Sequence, residues 1–162
     1  MGCFIIIFGP GDVLINNIAF LLRRLPLFAI HANGEYRLQP VSGQDVADIA
    51  VRCADQDHDL VVEAAGPDIL TYNALVKHIR LAVGSRSALF HLPKPVVDGL
   101  ARVLSMVLHD ELLVPEEAGG LVSDLLVSKH EPLGKLHFHH WLREAGPYLG
   151  RTYASERRRH FR

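Results

Sequence analysis

Two glycines set just after a β-branched run are the first residues with chemistry in prospect. The run Phe4-Ile5-Ile6-Ile7-Phe8 leads into Gly9-Pro10-Gly11-Asp12 and then into a stretch of helical apolar periodicity. A buried strand that ends in Gly-x-Gly and opens a helix is how a dinucleotide site begins. The full pattern, G-x-G-x-x-G, needs a third glycine so that helix and strand can pack closely. It also needs an acidic residue about 20 positions later for the ribose hydroxyls. Leu14 stands where that glycine belongs, and the next strand candidate, 27–30, is followed by His31 and Ala32. The fingerprint is incomplete, so another role for this turn is expected.

A second constellation is Leu136-His137-Phe138-His139-His140-Trp141. On a helix, His137 and His140 at i, i+3 share a face and could share a metal, while His139 points elsewhere. A third ligand would come from His130 or Glu131, and no H-e-x-x-H pattern of the zinc proteases is present. Histidines of mixed exposure, on a helix that packs Phe138, Trp141 and Leu142 inward, account for the same residues, and no metal site is expected.

The remaining polar features read as local structure. Asp45 suits a helix start. Tyr72 opens a helix as a packing residue. Asp110-Glu111 and Glu116-Glu117 fit a loop and a first helical turn. The tail Glu156-Arg157-Arg158-Arg159-His160-Phe161-Arg162 could meet phosphates but reads as a solvated helix end.

Bulk composition bounds the rest. The 162 residues are 49% hydrophobic and 22% charged, as expected of one soluble, globular domain with a sizeable core. A net charge of −1 gives no global case for nucleic acid, although residues 151–162 hold five arginines and one glutamate. Cys3 and Cys53 are far apart and read as thiols of a reducing cytoplasm. No apolar run approaches a membrane span, and no basic region precedes the apolar start as in a signal peptide.

The elements that must position these residues alternate. Residues 4–8 read as a buried strand and 9–11 as a turn. Asp12 is an N-cap for a helix over 13–25, with Arg23 and Arg24 against its negative end and Pro26 as its stop. A strand at 27–30 follows, then the Asn33-Gly34 turn and extended chain over 36–41. A helix at 45–53 is entered through Ser42, and a strand at 60–64 completes a β-α-β-β-α-β rhythm, the mark of an α/β sheet. Helix 71–83, strand 89–92, helices from Pro95 and Pro115, and helical stretches over 136–149 and 153–160 make the second half mostly helical. Pro147 makes the end of the 136–149 stretch ambiguous.

This order of elements, with Ile5-Ile6-Ile7-Phe8-Gly9-Pro10-Gly11-Asp12, Asn16-Asn17, Tyr36-Arg37-Leu38-Gln39-Pro40-Val41, Asp45-Val46-Ala47, Glu63-Ala64-Ala65-Gly66 with Thr71-Tyr72, and His91-Leu92-Pro93, resembles the C-terminal half of extended and atypical short-chain dehydrogenases/reductases. That family includes the NAD-dependent epimerases/dehydratases and the nucleotide-binding accessory subunit of respiratory complex I. The likeness implies that the opening strand is a late strand of a Rossmann sheet, lying under the nicotinamide ring, with earlier strands not encoded here.

Two family features are absent. There is no glycine-rich phosphate loop and no Tyr-x-x-x-Lys, because Pro40, Val76, Thr152 and Arg157 stand four residues after the four tyrosines. In the family that tyrosine is the general acid/base, so no catalytic residue is expected in this chain.

The resemblance implies an α/β fold: a partial Rossmann-type sheet over 1–66 and a mostly helical, substrate-side region over 67–162. Phe8, Gly9 and Pro10 would give backbone contacts to the nicotinamide end of NAD(P), and Arg37 and Gln39 would face the substrate. The expected protein is a cytoplasmic cofactor-floor and cleft fragment of an NAD(P)-dependent oxidoreductase or epimerase, inactive alone. The alternative is a non-catalytic nucleotide-binding or assembly subunit. A homo-oligomer or a partner chain would supply the missing strands.

Overall fold

The computed structural model describes residues 6–31, 33–54, 61–93, 96, 99 and 127–154. Among these, six strands and four helices alternate, so the protein is α/β. The strands are β1 (Ile7–Phe8), β2 (Leu27–His31), β3 (Arg37–Leu38), β4 (Val41–Ser42), β5 (Leu70–Thr71) and β6 (Ala88–Leu92). The helices are α1 (Val13–Arg24), α2 (Gly43–Ala54), α3 (Tyr72–Ala82) and α4 (Phe138–Ala145).

Each long helix begins where a side chain takes up orphan N–H groups. Asp12 Oδ1 accepts from Leu14 N at 2.7 Å, Ser42 Oγ from Asp45 N at 2.9 Å, and Thr71 Oγ1 from Ala74 N at 3.1 Å. α2 therefore starts two residues before the expected Asp45, directly after the hydroxyl that caps it. α1 ends before Pro26, and α3 is followed by Gly84 at φ 65°, a left-handed turn that suits glycine.

The strands pair as three two-stranded ladders among the described residues. β1 runs parallel to β4, with Ile7 opposite Val41. β2 runs parallel to β6 over five residues, from Leu27 opposite Ala88 to His31 opposite Leu92. β3 is antiparallel to β5. Pro40, which has no N–H to donate, lies between β3 and β4, so the expected extended run 36–41 is split into two short strands.

One core joins the ladders to the helices. Phe8, Ile15, Ile18, Leu22, Phe28, Ile30 and Leu38 meet Leu75, Val76, Ile79, Phe138 and Leu142, all buried. The apolar stripes of α1 and α3 supply the periodic part of this set, and those helices contact each other directly.

Two expected elements differ. Residues 61–66 form no strand: Val61 is fully exposed, and Glu63 turns its carboxylate to Ser128 Oγ at 2.6 Å instead of joining a sheet. The expected helix over 136–149 is only α4, at 138–145. At its start, Asp45 Oδ2 holds the N–H groups of Lys135 (3.0 Å) and Leu136 (2.9 Å), which keeps the chain extended there. At its end, Arg23 Nη2 donates to the Gly146 carbonyl at 2.9 Å, and Pro147 follows. The helices expected from Pro95 and Pro115 and most of the 153–160 stretch lie outside the described residues.

Candidate functional site

A crevice opens beyond the C-terminal ends of β1 and β4. It holds a cavity of about 610 Å3 lined by Ile7, Phe8, Gly9, Pro10 and Gly11, by Asp12, Val13 and Leu14 at the start of α1, and by Gly43 and Gln44 at the start of α2. In open α/β sheets ligands bind in such a crevice, where strands end and helices begin.

The turn that forms its floor is closed by Asp12 N donating to Gly9 O at 3.2 Å. Gly11 sits at φ 82°, so a side chain there would strain the backbone. Gly9 is different. A Cβ built on it meets nothing closer than Gly43 N at 3.9 Å, which leaves room over the turn. Phe8 offers its backbone to the crevice but its ring to the core. The ring is fully buried, edge-on to Phe138 at 5.2 Å and tilted against Trp141 at 5.1 Å.

The electrostatics of the mouth are set by Asp12. Its carboxylate already takes the N–H groups of Leu14 and Ile15, the donors that a helix N-terminus would otherwise turn to a phosphate. An anion at this end of the crevice would meet a carboxylate. The arrangement favours a neutral or cationic group over an anion there.

Of the residues expected at a site, Phe8, Gly9 and Pro10 line this cavity, and Arg37 and Gln39 do not. Arg37 is exposed on β3, opposite Thr71. Gln39 is buried and cross-ties three segments: its Nε2 donates to Gly66 O and its Oε1 accepts from Ser128 N, each at 2.8 Å. Its amide thus acts as a structural bridge in this arrangement.

Two tyrosines stack within the protein, Tyr36 on Tyr72 with ring centroids 5.2 Å apart. Burial pushes the Tyr72 hydroxyl up to about 12, and burial together with the neighbouring Tyr72 pushes that of Tyr36 upward as well. Both phenols hold their protons at neutral pH.

His137 is the N-cap of α4, with extended backbone, and its ring still stands edge-on to that of His140 at 5.4 Å, as the i, i+3 spacing expects. His139, expected to point elsewhere, has its ring 5.5 Å from that of His137. The His137 ring lies 2.7 Å from Asp68 Oδ1, and the second oxygen of Asp68 accepts from Phe138 N at 2.9 Å. Asp68 and Gln44 were missed by sequence reasoning. Gln44 was legible in principle as the residue after the Ser42-Gly43 helix start. Asp68 carries no local signal for its partner, 69 residues away. No protein-family model matches the chain, and no curated protein is similar to it.

Proposed function

We propose that the chain forms the nicotinamide-side floor of an NAD(P)-type binding cleft, in the manner of the late strands of a Rossmann sheet, and that it binds the nucleotide without turning it over. One observation carries this reading: a parallel strand runs straight into the Gly9-Pro10-Gly11 turn, over a cavity flanked by the first turns of two helices. Occupation of the α1 N-terminus by Asp12 supports contact with the ring and ribose rather than the phosphates.

Binding without turnover is favoured over oxidoreductase chemistry by the tyrosines. Hydride transfer needs a proton partner tuned toward neutral pH, and Tyr36 and Tyr72 are shifted the other way, with no lysine four residues on. On this reading Arg37 remains the substrate-side candidate, and Gln39 acts by holding the 66 and 128 segments in place.

The test is calorimetric titration of the full chain with NADH and NADPH, beside a Gly9→Val variant. The space over Gly9 lets the variant fold while crowding the crevice. Saturable binding by the wild type, weakened at least about tenfold in Gly9→Val, supports the reading. No binding of either nucleotide, or equal binding by the variant, removes it.

A further inference from the structure

The start of α4 brings together three side chains of metal-binding type. Asp68 comes from the loop after Gly66, His137 is the N-cap of α4, and His139 lies in the first turn. One ligand-type atom from each lies within 4.8 Å of the other two. The His137 and His139 ring centroids are 5.5 Å apart, and the His140 ring stands 4.1 Å from that of His139.

Two imidazoles and a carboxylate are the donors preferred by borderline divalent ions such as Zn2+ and Ni2+, whereas Ca2+ and Mg2+ favour all-oxygen shells. Ligands sharing one zinc at bond lengths of about 2.0–2.1 Å stand roughly 3–4 Å apart, so atoms within 4.8 Å of one another need to close by at most about 1–2 Å. The exposed ring of His139 can make that movement by a change of rotamer.

The two better-covered ligands are already held. Asp68 is fixed by His137 and by the Phe138 N–H. Pre-ordered ligands reduce the entropy lost on binding.

We propose that Asp68, His137 and His139 form a site for a divalent transition-metal ion of the zinc class, which staples the 66–69 loop to the start of α4. Three protein ligands leave the remaining positions to water, with His140 beside them. The site is separate from the crevice and stands or falls without the nucleotide reading.

The experiment is calorimetric titration of Zn2+ into the full chain, as wild type, His139→Ala and His130→Ala. Both histidines are exposed, so both variants keep the packing of the wild type. The site predicts one Zn2+ bound by the wild type and by His130→Ala, and binding weakened at least about tenfold in His139→Ala. It also predicts that Zn2+ raises the thermal midpoint of the wild type and leaves that of His139→Ala nearly unchanged. Absence of Zn2+ binding by the wild type overturns the assignment. So does equal binding by His139→Ala, or a loss in His130→Ala as large as that in His139→Ala.

Discussion

Asp45 turns its carboxylate inward and organises chain 90 residues away. One oxygen takes two backbone N–H groups, of Lys135 and Leu136, which no strand or helix satisfies. Truncation in Asp45→Ala leaves both donors without that acceptor, at a cost of about 1–3 kcal/mol, read as a lowered denaturant midpoint. Burial raises its carboxyl, but the N–H groups of Leu136 and Lys135, the Ser42 hydroxyl and the Lys135 charge together bring it below the ordinary carboxylate value. A carboxyl lowered on folding contributes stability above its unfolded value and loses that contribution as pH falls through the folded one. Denaturation of the wild type is therefore expected to become easier on going from about pH 5 to pH 3. An Asp45→Asn variant, whose amide oxygen still accepts, should show a shallower pH dependence; an unchanged slope would contradict the assignment.

Gly66 shows the same precision in backbone form. A Cβ there would run into the Pro40 carbonyl, and Gly134 N closes the same junction by donating to Ala65 O at 2.8 Å. Gly66→Ala is expected to lose about 1–3 kcal/mol, whereas Gly84→Ala, with open space around the added carbon, carries only the strain of its φ of 65°. In sequence Gly66 was visible only as one letter of a motif. The contact that requires it lies between chain segments, beyond the reach of local pattern.

At the scale of elements, α1 shows how much a helix does on its polar side. Periodicity places Leu14, Ile18, Leu21, Leu22 and Leu25 on its apolar face; Ile18 and Leu22 are buried, Leu14 and Leu21 pack half-buried against the core and Leu25 is exposed, while Ile15 and Ala19 complete the buried face. Its polar face is a clasp for residues 146–154. Asn16 donates to Thr152 O and accepts from Gly150 N, and Asn17 donates to Ala154 O and accepts from Ala154 N, each at 2.9 Å. Arg23 reaches the carbonyls of Gly146 and Leu149, and Arg24 those of Gly150 and Arg151. The two arginines at the end of α1, expected to complement its dipole, also take up a second segment's carbonyls. Asn17→Ala is predicted to speed amide hydrogen exchange at Ala154 at least about tenfold while leaving exchange in the α3 core unchanged. Uniformly faster exchange everywhere would show that the clasp belongs to the global fold.

At the scale of the molecule, the α/β class followed from the alternation of strand and helix signals. The pairing into three short ladders did not, because partners such as Leu27 and Ala88 are far apart in sequence and each strand segment is only two to five residues long. The core spans both halves of the chain: Phe8 meets Phe138 and Trp141, and α1 meets α3. Residues 1–66 and 67–162 are thus expected to unfold together. Trp141, the one tryptophan, reports on the contact with β1, so its fluorescence and the far-ultraviolet circular dichroism should trace coincident transitions. Separate midpoints would divide the chain into two units.

The clasp between α1 and residues 146–154 also bears on how the molecule is made. A ribosome adds residues one at a time, and Asn17 must wait until Ala154, 137 positions later, has left the exit tunnel. At about 5–20 residues per second that interval lasts seconds, long beside the microseconds in which a helix forms. During synthesis the polar flank of α1 therefore faces solvent or a chaperone, and the nascent chain can lock only once its late segment arrives.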